Sequence, residues 1–236
     1  MLARLQKFIT ISLFVGAAAW AIWFAAAGRP WWAGVGALTI LLGYALVLAA
    51  EFVILSVVQH AETAPRPKAR QMLVAWWNEV LTAPRVFLWR QPFRSHAEAD
   101  HLPPGVARPG VVLVHGFFCN RGLWNPWMRE LRALGVPFIA VNLEPLFGSI
   151  DRYADCLDAA VARVEASTGM PVVLVGHSMG GVAIRAWLAR FNADRRVRRV
   201  VTIGSPHHGT WLARYGHTAN GRQMRRRGPW LIDLAT

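Results

Sequence analysis

Two long apolar runs open the chain, and short apolar runs separated by amphipathic stretches fill its second half. Phe8 to Ala27 carries no charge (FITISLFVGAAAWAIWFAAA). Wound as a helix it is about 30 Å long, the thickness of the hydrocarbon layer of a bilayer. Gly28-Arg29-Pro30 interrupts the run. Trp31 to Ala50 forms a second run, which Phe52 to Val58 continues after Glu51. The pattern predicts two transmembrane helices, 8–27 and 31–58, joined by a very short turn. The competing reading is a signal peptide, with Arg4 and Lys7 as its basic start and Ala25-Ala26-Ala27 as its cleavage site. Its apolar core would exceed the usual ~7–15 residues, and a second apolar span follows at once. Glu51 is read either as an interfacial residue at the end of a span or as a buried ion-pathway residue.

His60 to Arg70, with Pro65 and Pro67, reads as a polar connector. Gln71 to Leu81 has helical periodicity: Met72, Leu73, Ala75, Trp76, Trp77, Val80 and Leu81 make a wide apolar stripe opposite Asn78 and Glu79. Trp76 and Trp77 suit interfacial anchors or core residues equally. Arg85 to Arg94 is read as a strand between Pro84 and Pro92, and Ser95 to Pro109 as a loop. From Gly110 the pattern becomes regular. Val111 to Val114, Val136 to Val141, Val172 to Val175 and Val197 to Ile203 are short, almost wholly apolar runs. Strands apolar on both faces belong to a parallel sheet buried between helices. Ile150, Ala154, Leu157, Val161 and Val164 recur at helical spacing before Gly169, and Gly181 to Phe191 does the same. Strands alternating with helices give an α/β, doubly wound, mostly parallel fold. The expected organisation is a transmembrane hairpin over 1–60, a connector with a juxtamembrane amphipathic helix over 61–108, and an α/β domain over 109–236.

The candidate chemistry lies in this last part. Gly176-His177-Ser178-Met179-Gly180 sits between an apolar strand and a helix. A turn that sharp forces Ser178 into a strained backbone and lifts its hydroxyl above the sheet edge. Gly176 and Gly180 are needed because side chains there would strike the neighbouring strand and helix; Gly181 follows in the helix. Unpaired N–H groups at the helix start can stabilise negative charge. His115-Gly116-Phe117 follows an earlier apolar strand. A tetrahedral oxyanion needs two N–H donors, for which Met179 and Phe117 are placed by this pattern.

Together with Gly204-Ser205-Pro206-His207-His208-Gly209-Thr210, these motifs resemble the α/β-hydrolase superfamily, and within it the bacterial lipase and esterase group, over about residues 109 to 215. The resemblance implies hydrolysis of a carboxylic ester, Ser178 attacking the carbonyl to form an acyl-enzyme that water clears. It also implies the order serine, acid, histidine along the chain. After Gly204 the sequence holds one acid, Asp233, and it follows His207, His208 and His217. Catalytic acid and base are therefore unassigned. The expectation is either the front part of a longer enzyme, lacking its C-terminal strands, or a catalytically silent, membrane-tethered binding module; acyl transfer at the same site is a third reading.

Charge adds a topology. Arg4 and Lys7 precede the first span, Arg66, Lys68 and Arg70 follow the second, and only Arg29 lies between. The positive-inside rule places both ends, and the hydrolase domain, on the cytoplasmic side of the bacterial inner membrane. The net charge is +13, densest at Arg195 to Arg199 and Arg225 to Arg227. Anionic lipid headgroups fit that charge. No nucleic-acid motif accompanies it, so nucleic acid is not an expected partner. The expected partners are an ester or acyl-lipid substrate and the membrane lipids around the hairpin. Cys119 and Cys156 form no CxxC pair, which fits a reducing compartment. Cys119 is read as a small buried residue rather than a reactive thiol. No metal-ligand spacing is present, and neither a metal nor another cofactor is expected.

Overall fold

A computed structural model of the chain describes residues 1–58 and 67–234. Residues 60–66 of the expected connector, with Pro65 and Arg66, lie outside the described residues. The chain divides into two compact units, Arg4–Phe93 and Arg94–Thr236 with Met1–Ala3.

In the first unit, α1 (Leu2–Ala26) and α2 (Pro30–Val58) are joined at Gly28, whose φ of +70° closes the turn. Both are long and apolar enough to cross a membrane, with mean hydropathies of 2.0 and 2.4. Most of their large apolar side chains are exposed, and α2 runs through Glu51 without a break, leaving that carboxylate exposed. The amphipathic stretch is α3 (Ala69–Ala83), opened by Lys68, whose N–H donates to the Gln71 side chain at 2.8 Å. The strand read over Arg85 to Arg94 is not formed. Residues Pro84–Arg90 continue the helix as a π-helical stretch, and one turn, α4 (Gln91–Phe93), ends it. Proline lacks the N–H that an α-helix needs at this position, and the wider π turn absorbs that loss. Tertiary packing then fixes the helix: Val86 and Gln91 are buried, and Gln6 Nε2 of α1 donates to Gln91 Oε1.

The second unit holds an all-parallel sheet, four strands among the described residues, in the order β2-β1-β3-β4. The strands are β1 (Val111–Val114), β2 (Phe138–Ala140), β3 (Val172–His177) and β4 (Val197–Ile203). Alternation along β1 sorts the core into two layers. Val112 and Val114 pack with α6 (Ile150–Thr168) and α7 (Met179–Phe191); Val111 and Leu113 pack on the other face with Trp124 and with Met128 of α5 (Asn125–Ala133). Ser149 caps α6 by accepting the Asp151 N–H, Asp151 sits favourably in its first turn, and Gly169 ends it at φ +65°. Fully buried Tyr153, Leu157, Val161 and Val164 mark its core stripe.

Burial fails at β4. Val200, Val201 and Ile203 are exposed, so this apolar run is a strand but not the doubly covered strand its composition implies. It is an edge among the described residues, and Arg198 and Arg199 give it charge. Its start is anchored by Arg196, which bonds Asp158 and both oxygens of Glu165 on α6 and lies over the Trp187 ring. Trp230 to Ile232, an apolar triplet, belongs to the short helix α9 (Pro229–Asp233), which follows α8 (Ala219–Gln223).

Candidate functional site

β3 delivers the chain to Ser178 and α7 carries it away, so the direction reverses within one residue. Ser178 takes φ 51° and ψ −126°, a region that disfavours an L side chain. Two hydrogen bonds hold it there. Its N–H donates to the Ile203 carbonyl at 2.8 Å, and its carbonyl accepts the Gly181 N–H at 3.1 Å. The side chain is half-buried.

The surrounding glycines are required by close approach. A Cβ on Gly176 would stand 2.6 Å from the Gly181 nitrogen, and one on Gly116 would stand 2.8 Å from the Ser178 Cβ. On Gly180 it would meet the His115 carbonyl at 2.7 Å and overlap the Val114 carbonyl; on Gly181 it would overlap Ser205 Oγ. The loop after β1, the turn after β3 and the turn after β4 thus converge on one point. Gly180→Ala is expected to cost about 1–3 kcal/mol, because the atoms in the way are backbone and cannot rotate aside. Thermal unfolding of the full chain in detergent measures it; an unchanged midpoint would show that the loop after β1 yields.

His115 is the post that sets this loop. It is fully buried, its Nε2 accepts the Leu143 N–H at 3.0 Å, and its Nδ1 lies 2.9 Å from the Gly116 carbonyl. Accepting at Nε2 fixes the neutral tautomer with hydrogen on Nδ1, which donates to Gly116. Burial, the largest cause, lowers its pKa to about 4, so the ring is uncharged near neutrality. It ties the loop after β1 to the segment after β2.

Phe117 comes next and is exposed; Phe118 behind it has φ 54°. The Phe117 ring lies 6.1 Å from that of Phe147, forming an aromatic wall. Periodicity gave no sign of what holds Phe147. The Tyr153 hydroxyl donates to the Pro145 carbonyl at 2.8 Å, and Asn220 Nδ2 donates to the Leu146 carbonyl at 2.8 Å. Pro145 and Gly148 bracketing that loop were the available signal. Met179 is buried as the first residue of α7, and the first N–H groups of a helix have no partner within it.

The histidines are dispersed. His177 abuts Gly116: its Nδ1 would lie 3.3 Å from a Cβ there. His207 Nε2 lies 3.2 Å from Thr202 Oγ1, and its carbonyl accepts from Arg185 at 2.9 Å. Burial first, then Arg185 and His208, holds its pKa below the usual histidine range. His208 and His217 are exposed. Cys119 is buried, and no three His, Cys, Asp or Glu side chains among the described residues converge as a cation site requires. Much of the arginine excess is used internally. Arg121 pairs with Asp100, Arg190 with Asp155, and Arg225 donates to the Gly216 carbonyl.

Comparison with known proteins agrees with this geometry. The profile described as the alpha/beta hydrolase family matches residues 111–235. Among curated relatives, a probable hydrolase R7 of Phoma sp. is 32% identical over 136 residues, 55% of this chain and 53% of that protein. The biotin biosynthesis bifunctional protein BioHC of Cellvibrio japonicus is 33% identical over 101 residues, 42% of this chain and 19% of that protein. The chain thus spans about half the length of the first relative and less of the second. Among solved structures, lipase B of Aspergillus fumigatus superposes with a TM-score of 0.50 at 19% identity, over 58% of this chain and 36% of that one. The matched segment takes in the sheet, the strained serine turn and the loops packed on it, and the chain belongs to the α/β-hydrolase family.

Proposed function

We propose that this chain carries the nucleophile and oxyanion site of a membrane-anchored serine hydrolase acting on carboxylic esters. The observation that supports it most is the backbone of Ser178, strained at a strand-to-helix junction and pressed between Gly116 and the start of α7. In this reading Ser178 Oγ attacks the ester carbonyl, the N–H groups of Met179 and Phe117 hold the oxyanion, and the alcohol leaves to give an acyl-enzyme. The Ser178 proton passes to a base on the way, and water then hydrolyses the acyl group. The α1–α2 hairpin anchors the chain in the inner membrane with both ends cytoplasmic, as Arg4, Lys7, Lys68 and Arg70 favour. That position brings acyl lipids within reach as substrates.

A second reading is favoured by the order of residues along the chain, in which Asp233, the one acid after Gly204, follows His207, His208 and His217. In it the scaffold binds an acyl compound without cleaving it. A fluorophosphonate probe separates the two. Full-length chain in detergent is expected to become covalently labelled, with Ser178→Ala as the blank. Absence of label on folded protein would retire the hydrolase reading in favour of the binding one.

A further inference from the structure

We infer that residues 69–93 form a third membrane-embedded helix, whose exposed apolar face is covered by the acyl chains of the bilayer. The inference rests on the proposal that the α1–α2 hairpin spans the membrane. Residues 69–93 are one helical rod, α3 passing through the π-helical stretch into α4. Two hydrogen bonds fix its depth. The Tyr44 hydroxyl donates to the Val80 carbonyl at 2.8 Å, and Trp76 Nε1 donates to the Ala45 carbonyl at 3.1 Å. Tyr44 and Ala45 stand at the middle of α2. A helix of this length runs about 43 Å, so its middle lies at the centre of a hydrocarbon layer about 30 Å thick. Val80, one hydrogen bond away, shares that depth.

One face of the rod agrees with hydrocarbon, and the exposed Asn78 and Glu79 lie off that face. Leu73, Trp77 and Leu81 follow one another at helical spacing, 64%, 54% and 49% exposed, and no residue of α3 is buried. Phe87 and Trp89 prolong the apolar surface. In water such a stripe costs free energy; in lipid it costs none. The polar contacts that join the rod to the hairpin close on themselves. Tyr44 and Trp76 donate to helical carbonyls, and the buried Gln6 donates to the fully buried Gln91. Internal satisfaction of this kind is what a medium without water demands. Between α1, α2 and the rod lies a cleft of about 420 Å³, lined by Leu13, Leu41, Leu48 and Phe87 and by the carboxylates Glu51 and Glu79, which thus face the cleft and not the lipid. Arg70 lies in the first turn of the rod, and Arg85 and Arg90 are long enough to reach headgroups along apolar stems.

The experiment uses the full chain in liposomes, with Cys119 and Cys156 replaced by alanine. An environment-sensitive fluorophore is attached at Leu81→Cys, and separately at Leu73→Cys in case one site perturbs folding. Leu46→Cys, on the exposed face of α2, reports the hairpin, and Leu134→Cys, in the hydrolase unit, reports water. Nitroxide lipids labelled at mid-chain are expected to quench positions 81 and 46 to within about twofold of each other and to leave 134 unquenched. Quenching at 46 with none at 81 or 73, both reached instead by aqueous iodide, would overturn the inference and leave the hairpin intact. No quenching at 46 would remove the hairpin reading and this inference with it.

Discussion

Ser178→Gly is expected to abolish fluorophosphonate labelling while making the hydrolase unit more stable. The hydroxyl is the only atom that can be phosphonylated at the turn, so label falls to background. The stability gain comes from the backbone. At φ 51° and ψ −126° the serine Cβ is strained, and Gly116 packs against it. Strain of that kind costs about 1–3 kcal/mol. Glycine removes it and gives back about 0.5–1 kcal/mol in extra freedom of the unfolded chain. The net is a stabilisation of about 1 kcal/mol, or a few degrees in the unfolding midpoint for a unit of this size. Ser178→Ala separates the two effects, since it loses the hydroxyl and keeps the strain. It should be as unlabelled as the glycine variant and no more stable than the parent. A glycine variant with a lowered midpoint would contradict the account of strain. Circular dichroism in the near ultraviolet, on full chain in detergent, reads the midpoint.

Acidification is expected to unfold the hydrolase unit through His115. The buried imidazole holds its folded pKa at about 4, against about 6.5 in the unfolded chain. Between those values the unfolded state binds the proton and the folded state does not, so stability falls as pH falls. The contribution is fully present above pH 6.5 and is lost progressively down to about 4. The whole span is worth about 3 kcal/mol, of which about 2 is gone by pH 5. Carboxylates titrate in the same range, so the measure is a difference. Urea midpoints of the parent and of His115→Gln are compared from pH 7 to pH 4.5, and the glutamine variant should show the shallower slope. Parallel slopes would mean that His115 is not the buried neutral post described above. Labelling of Ser178 in the folded chain should decline only as the pH nears about 4, where protonation of His115 removes the acceptor for the Leu143 N–H and frees the loop that carries Phe117.

Local signals in the sequence were strong where one residue type answers one geometric demand. Val111 to Val114 and Val197 to Ile203 are strands with the bounds expected from their apolar runs. Gly176 and Gly180 stand where backbone atoms touch, and Gly169 takes the left-handed cap that ends α6. The hydrolase family could be read from three short motifs for the same reason. Burial was not legible in this way. An apolar run states that a strand can be covered; it does not state which neighbours arrive, and β4 keeps exposed valines. Arg85 to Arg94 misled because two prolines bracketing an apolar segment suit a strand, while packing of Gln91 against Gln6 rewards a helix. The Tyr153 and Asn220 contacts join segments far apart in sequence, and no periodicity carries such information.

Those contacts give residues 219–223 a reach beyond their size. Asn220 holds the loop that presents Phe147, and Gln223 accepts the Ile150 N–H at the head of α6. The mouth of the site is therefore hung from a peg that enters the chain some seventy positions later than the loop it carries. During synthesis the sheet and the serine turn emerge first, and the rim beside them stays untethered until that short helix arrives. The rim beside the serine turn then takes its shape only once residues 219–223 have docked.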